Sequence, residues 1–210
     1  HGKGRVLTVP EAFIYSSNIG SAREADVVGI EAHREFLHRL GLLERMVTEL
    51  PEVARPTEPK VWKKVHSITA AFGHGISTTP LQTAVAAAAL MNGGKLFEPT
   101  FLPRTETDTP FTQVVKDTTS RDMRYLYLLN ATAPGGSGKR ATVPGYRVGG
   151  KTGTAEKVVN GRYSSTVRFN AFLAAFPMDN PQYIVLSIVD EPKPEKAGMG
   201  ATAGLNAAPI

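Results

Sequence analysis

Two tripeptides hold the side chains best suited to chemistry, Ser16-Ser17-Asn18 and Lys151-Thr152-Gly153. A serine hydroxyl can donate and accept a proton at once, and a lysine ammonium supplies positive charge. The first tripeptide has the form S-x-N and the second the form K-T-G, which are elements of serine-based acyl transfer. Each alone is most often structural, the first as a turn and the second as the end of a strand. Their order along the chain and the elements around them therefore decide the interpretation.

The same lysine also belongs to a second pattern. Residues Gly145 to Thr152 satisfy G-x-x-x-x-G-K-[ST], and residues 184–191 resemble the apolar strand with a terminal Asp that holds magnesium in nucleotide hydrolases. A phosphate loop requires a buried strand before its first glycine and a helix directly after the lysine and threonine. Here Pro144 precedes the first glycine, and residues 152–161 have the composition of a strand that runs into a hairpin. A nucleotide hydrolase is therefore a remote alternative.

Composition narrows the classes of partner and cofactor. The 210 residues suffice for one domain or a little more. The net charge of +5 is spread along the chain, without an Arg-rich arm or zinc-finger spacing, so nucleic acid is not expected. The chain has no cysteine and no H-E-x-x-H spacing, which excludes a Cys-ligated metal and that zinc motif, and serine-based acyl transfer calls for neither a metal nor an organic cofactor. The longest apolar runs are far shorter than the ~20 residues that span a bilayer, and the sequence itself shows no signal peptide or anchor.

Helical patterns dominate the first two thirds of the chain. We expect a short helix over residues 11–15, a turn over 16–20, a loop and then an amphipathic helical region over 27–43, and an exposed loop over 51–59. Thr79 before Pro80 predicts the start of an alanine-rich helix that ends before Gly93. A further helix is predicted to start at Ser120 and to end before the glycines at 135–138.

The last third has strand composition instead. Residues 147–159, 166–176 and 182–189 are rich in Val, Ile, Phe and Thr, and Asn160-Gly161 between the first two is a strong hairpin signal. The pattern predicts an α+β fold with a helical part over about 1–143, a strand meander with the K-T-G element over about 144–192, and the start of a C-terminal helix over about 200–210.

An S-x-N element among helices, followed by K-T-G at the start of an antiparallel meander, resembles the transpeptidase domain of class B penicillin-binding proteins, in particular the division-specific septal, FtsI type. The resemblance covers the chain from about residue 10 to residues 207–209. It rests on Tyr15-Ser16-Ser17-Asn18-Ile19-Gly20, Gly73-His74-Gly75-Ile76, Thr79-Pro80-Leu81-Gln82, Asn92-Gly93-Gly94 and Gly149-Gly150-Lys151-Thr152-Gly153-Thr154-Ala155.

The resemblance implies a penicillin-binding transpeptidase (β-lactamase-like) fold that is incomplete at both ends, and a serine-type D,D-transpeptidase as the parent protein. The family's nucleophile is the serine of S-x-x-K, yet no serine here is followed by lysine three places on. The nucleophile and its lysine are therefore expected outside this chain, which alone should be inactive. In such a site, Ser16 would relay a proton between that lysine and the leaving amine. Asn18 would bind the substrate backbone and hold the same lysine.

The K-T-G segment would supply the remaining groups. The resemblance implies that Lys151 places positive charge near the substrate carboxylate, that Thr152 and Thr154 hydrogen-bond to it, and that the Thr154 backbone N–H is one oxyanion donor. Gly153 would let the strand lie close to the substrate.

The implied partners are peptidoglycan stem peptides ending in D-Ala-D-Ala, β-lactams and division proteins. The implied location is the periplasmic face of the inner membrane, reached through an N-terminal anchor that this chain lacks. A septal and an elongation role are both open. A catalytically silent peptidoglycan- or divisome-binding module of the same fold is the alternative.

Overall fold

A computed structural model describes residues 3–104, 109–159, 162–194 and 200–210. The chain forms two compact units, His1–Met123 and Arg124–Ile210. An α+β fold is confirmed, because helices are the main regular elements of the first unit and an antiparallel sheet is that of the second.

The first unit is built from helices and one small hairpin. Its core contains Leu40, Ala86, Ala89 and Val114, with partly buried leucines packed around them. The elements in chain order are α1 (Val9–Ile14), α2 (Asn18–Val28), α3 (Ile30–Arg39), α4 (Lys64–Ala70), α5 (Pro80–Met91), β1 (Lys95–Phe97) and β2 (Phe111–Gln113), followed by α6 (Asp117–Thr132), within which the division between the units falls.

Capping residues fix the ends of two helices in this unit. At α5 the Thr79 side chain accepts from the Gln82 backbone N–H, and the Gln82 side chain accepts from the Thr79 N–H, so the predicted start is confirmed. Thr8 and Glu11 form the same arrangement at α1. A hydrogen bond from Arg5 lowers the pKa of the partly exposed Glu11 carboxyl to about 2, so this cap is ionised at neutral pH.

The second unit is a three-stranded meander covered by a short helix. Strands β3 (Gly149–Val159), β4 (Arg162–Phe176) and β5 (Tyr183–Asp190) pair antiparallel in the order β3-β4-β5. Helix α7 (Ala203–Asn206) packs on this sheet through a core of small residues and Phe172. The three predicted strands are confirmed to within a few residues, and the hairpin turn expected at Asn160-Gly161 lies outside the described residues.

Several predicted boundaries are wrong. The turn expected over 16–20 ends early, because Ser17 caps α2 and Asn18 is already helical. The loop expected before residue 27 is part of the same helix, and the amphipathic region breaks at Gly29, whose φ is 87°. Helix α6 begins at Asp117 rather than Ser120. Helix α4 and the β1–β2 hairpin were not predicted, and the C-terminal helical segment is only Ala203–Asn206.

The phosphate-loop interpretation of residues Gly145 to Thr152 is also wrong. A phosphate site needs a helix N-terminus directly after the lysine and threonine, because its amides hold the phosphates. Both residues instead lie inside β3, which continues as a strand to Val159. Within the described part of the chain, every helix is too short or too polar to cross a lipid bilayer.

Candidate active site

The S-x-N element forms the elbow between α1 and α2. Ser16 has a φ of 48°, a left-handed conformation that costs a residue with a side chain about 1–3 kcal/mol. Its backbone N–H donates to the Phe13 carbonyl at 3.1 Å, and the Ser17 N–H donates to the Ala12 carbonyl at 2.9 Å. These two bonds hold the strained turn, so Ser16 is presented at a fixed place at the end of α1.

The middle residue of the element has a structural role. The Ser17 hydroxyl accepts from the Gly20 backbone N–H at 3.1 Å and thereby caps α2. Gly20 lets the two helices approach, since a Cβ there would lie 2.8 Å from the Ala12 Cβ. Ser16 and Asn18 are both exposed, and all three residues of the element line a cavity of about 170 Å³ at the elbow. The two polar residues of the S-x-N pattern thus border the same space.

The K-T-G element lies near the beginning of β3, an edge strand that pairs only with β4 in the described part of the chain. Gly150 is packed too closely for any side chain, because a Cβ there would lie 2.3 Å from the Phe172 ring. Gly153 has more room, because a Cβ there would lie 4.0 Å from its nearest neighbour, the Ala171 carbonyl oxygen. The strand is therefore anchored to the sheet at Gly150 and open at Gly153.

The Lys151 ammonium group loses its proton more readily than that of an exposed lysine. Burial lowers the pKa of this lysine from 10.5 to about 8, because the charged ammonium loses solvation. Its Nζ donates to the Thr152 carbonyl at 3.0 Å. Lys151 is mostly protonated at neutral pH but loses its charge in mildly basic solution.

Thr152 and Thr154 share one face of β3, as residues two apart on a strand do. The Thr154 hydroxyl oxygen accepts from the Ala203 backbone N–H at 3.1 Å. An N–H can only donate, so the Thr154 hydroxyl hydrogen must be directed to another acceptor. The Thr152 hydroxyl lies 2.7 Å from the Ser137 hydroxyl, where either oxygen can be the donor.

The structure places the predicted site residues in two groups. Lys151, Thr152, Gly153 and Thr154 are consecutive on β3 in the second unit, and Ser16 and Asn18 lie at one helix elbow in the first unit. Sequence reasoning missed two polar residues that contact β3, Asn130 on α6 and Ser137 in the glycine-rich turn after it. Neither belongs to a short motif, so the sequence offered only one signal, an asparagine inside an otherwise apolar helix face.

Among the described residues, no three His, Asp or Glu side chains lie close enough together to bind a metal ion. Asp190 ends β5, and its carboxylate accepts from Lys157 Nζ at 3.0 Å. Glu191 accepts from the same nitrogen at 2.8 Å. The terminal Asp of the magnesium-strand pattern therefore forms a surface ion pair with Lys157.

Comparison with known proteins gives a consistent set of similarities. The family model described as the penicillin binding protein transpeptidase domain matches residues 1–210. The chain is 38% identical over 218 residues to the probable peptidoglycan D,D-transpeptidase FtsI of Caulobacter vibrioides, covering all of this chain and 37% of that protein. The chain thus spans little more than a third of the length of this relative.

Solved structures share the fold. The apo transpeptidase domain of Burkholderia pseudomallei penicillin-binding protein 3 superposes with a TM-score of 0.87 at 32% identity, covering 97% of this chain and 61% of that one. Penicillin-binding protein 3 of Mycobacterium tuberculosis, in complex with aztreonam, gives a TM-score of 0.83 at 28% identity, covering 96% of this chain and 50% of that one.

Proposed function

We propose, since this chain belongs to the penicillin-binding protein transpeptidase family, that it forms the C-terminal part of a serine-type D,D-transpeptidase that cross-links peptidoglycan stem peptides during septal wall synthesis. One observation carries the proposal: the same edge strand presents a partly buried lysine, Lys151, and a threonine, Thr154, whose hydroxyl is oriented to donate. A cation and a fixed donor on an open strand edge are suited to an extended peptide that ends in a carboxylate.

The proposed reaction is acyl transfer from the stem peptide to a neighbouring strand. A serine hydroxyl attacks the carbonyl of the penultimate D-Ala, the C–N bond to the terminal D-Ala breaks, and the leaving nitrogen takes up a proton. An amine of a second stem peptide then attacks the ester and releases the serine. No S-x-x-K occurs in the 210 residues, so we infer that a segment outside them contributes the nucleophile and its lysine.

The residues at the helix elbow are proposed to move the proton and hold the substrate. The Ser16 hydroxyl can accept a proton from one side and donate on the other, which suits a relay to the leaving amine. The Asn18 amide, which opens to the same cavity, is proposed to bind the peptide backbone and the lysine of the missing motif. Strain at Ser16 supports this assignment, since strained backbone is concentrated at functional sites.

The β3 residues are proposed to recognise the carboxylate and the developing oxyanion. The charge of Lys151 and the hydroxyls of Thr152 and Thr154 would bind the terminal carboxylate. The Thr154 backbone N–H would be one oxyanion donor, and the loss of one such donor costs about 3 kcal/mol of transition-state stabilisation. The open space at Gly153 would admit the peptide.

The setting of the reaction is inferred from the relatives. A septal role is favoured over an elongation role because the Caulobacter relative is named FtsI. β-Lactam binding is inferred from the Mycobacterium structure, which holds aztreonam. We infer that the whole protein acts at the periplasmic face of the inner membrane with other division proteins as partners.

Covalent labelling tests the proposal. The full-length protein should form a covalent adduct with a fluorescent penicillin, and Lys151→Ala should slow its formation at least tenfold. Lys157→Ala is a matched control, because Lys157 lies on the same strand in an exposed ion pair and such pairs contribute little. A full-length protein that forms no adduct would refute the enzyme and favour the silent binding module.

A further inference from the structure

Asn130 on α6 is completely buried (0% exposed) and has all its polar atoms engaged. Its Nδ2 donates to the Gly150 carbonyl at 2.8 Å. Its Oδ1 accepts from the Ser137 backbone N–H at 3.1 Å and lies 3.2 Å from the Ser137 hydroxyl. One amide therefore joins the strand next to Lys151 to the turn that faces Thr152.

The orientation of this amide is determined by its neighbours. A carbonyl oxygen can only accept, so the NH₂ group of Asn130 must face Gly150. The Oδ1 atom must then face Ser137, whose backbone N–H can only donate. Asn130 is thus a fixed acceptor for the Ser137 hydroxyl.

The single hydrogen of the Ser137 hydroxyl can be donated to either of two acceptors, the Asn130 Oδ1 atom or the Thr152 hydroxyl oxygen. In one arrangement Ser137 donates to Asn130, Thr152 donates to Ser137, and Thr152 has no hydrogen left for a ligand. In the other, Ser137 donates to Thr152, and the Thr152 hydrogen is directed to a ligand. The two arrangements differ only by rotation of two hydroxyl groups, because all the oxygens stay in place.

We propose that Asn130 and Ser137 are positioning residues that make Thr152 a conditional donor, one that turns toward a ligand only when the ligand is an anion. The inference rests on the proposed function, in which Thr152 contacts the substrate carboxylate. A carboxylate is a strong acceptor and draws the Thr152 hydrogen outward, while Ser137 then donates to the Thr152 oxygen and strengthens that bond.

Thr154 provides the contrast on the same strand. Its oxygen accepts from the Ala203 N–H whatever the ligand, so its hydrogen is always directed away from that partner. Thr154 is therefore a permanent donor and Thr152 a conditional one. A neutral ligand end accepts the hydrogen bond from Thr154 but attracts the Thr152 hydrogen only weakly. The pair therefore favours free carboxylates over their esters.

The test compares two ligands on the full-length protein: benzylpenicillin and its methyl ester, which lacks the negative charge. Ser137→Ala should slow acylation by the free acid about fivefold, the effect of one hydrogen bond, and acylation by the ester less than twofold. Ser137→Thr, which keeps the hydroxyl, should restore the rate with the acid. In a Thr152→Val background, Ser137→Ala should have no further effect.

The alternatives give different results. If Ser137→Ala slows acid and ester equally, or if its effect adds fully to that of Thr152→Val, Ser137 only supports the fold and the proposal is wrong. A wild-type protein that reacts with neither ligand refutes the proposed function itself. The melting temperature of every variant is measured to detect loss of the fold. Should Ser137→Ala unfold, Ser137→Cys, whose thiol is a similar-sized but weak donor, gives the same comparison.

Discussion

The charge of Lys151 should control the basic limit of the reaction. Burial lowers its pKa to about 8, so the ammonium is about nine-tenths protonated at pH 7 and about one-tenth protonated at pH 9. If only the charged form binds the carboxylate productively, the second-order rate constant for acylation by benzylpenicillin should fall about tenfold between these two pH values.

The sign follows from the type of group. A lysine is charged below its pKa and neutral above it, so activity is lost as pH rises through about 8. An unburied lysine, with a pKa near 10.4, would stay charged throughout this range and give a flat profile to pH 9. The position of the basic limb therefore reports the burial of this one side chain.

The measurement is the rate of acylation of the full-length protein at low ligand concentration from pH 6 to pH 10, a condition that reports the ionisations of the free enzyme. Lys151→Arg is the control, because a guanidinium keeps its charge above pH 12. We expect a lower absolute rate, since the guanidinium has a different geometry, and a basic limb that moves above pH 9.

Two results would refute this reasoning. A wild-type profile that is flat to pH 10 would show that Lys151 is not a buried cation with a lowered pKa, or that its charge does not affect acylation. A limb near pH 8 that persists unchanged in Lys151→Arg would assign the ionisation to another group.

Four further substitutions test close packing, helix capping and buried charge, each by denaturant or thermal unfolding. Gly150→Ala should lower the free energy of unfolding by about 3 kcal/mol, because its Cβ would lie 2.3 Å from the Phe172 ring. Gly153→Ala should change the free energy of unfolding by less than about 0.5 kcal/mol, because a Cβ there meets open space. The same Gly153→Ala change should nevertheless slow acylation at least tenfold. Thr79→Ala should cost about 1 kcal/mol through the lost cap of α5. Lys151→Met should raise the free energy of unfolding at pH 7 by up to about 3 kcal/mol, because it removes a buried charge. The wild-type free energy of unfolding should rise between pH 8 and 10.5, where the unfolded chain binds more protons than the folded one, and Lys151→Met should abolish this rise.

The meander and α5 could be predicted because their signals are local. Runs of Val, Ile, Phe and Thr between turn residues indicate the three strands, and Thr79 before Pro80 favours a helix start. The elbow at Ser16 is harder, because the same Ser and Asn residues favour both turns and helix N-caps. Here Ser17 bonds the Gly20 N–H, and this one contact makes Asn18 helical.

The β1–β2 hairpin and α4 escaped prediction for a different reason. Strands of three residues are too short for alternation to be detected, and β2 is exposed along its whole length. Helix α4 has seven residues, with only Ser67 and Ala70 buried, so it shows no apolar stripe. Tertiary contacts rather than local preference hold both elements.

The K-T-G segment shows where a motif stops being informative. The sequence supplies two hydroxyls on one face of a strand, and nothing in the tripeptide distinguishes Thr152 from Thr154. The distinction comes from partners 15 and 49 residues away, a hydroxyl for Thr152 and a backbone N–H for Thr154. An N–H partner determines which way a hydroxyl donates, while a hydroxyl partner leaves the direction to the ligand. Two identical side chains in one motif can therefore play unequal parts in recognising an anion, and the difference lies in the fold that surrounds them.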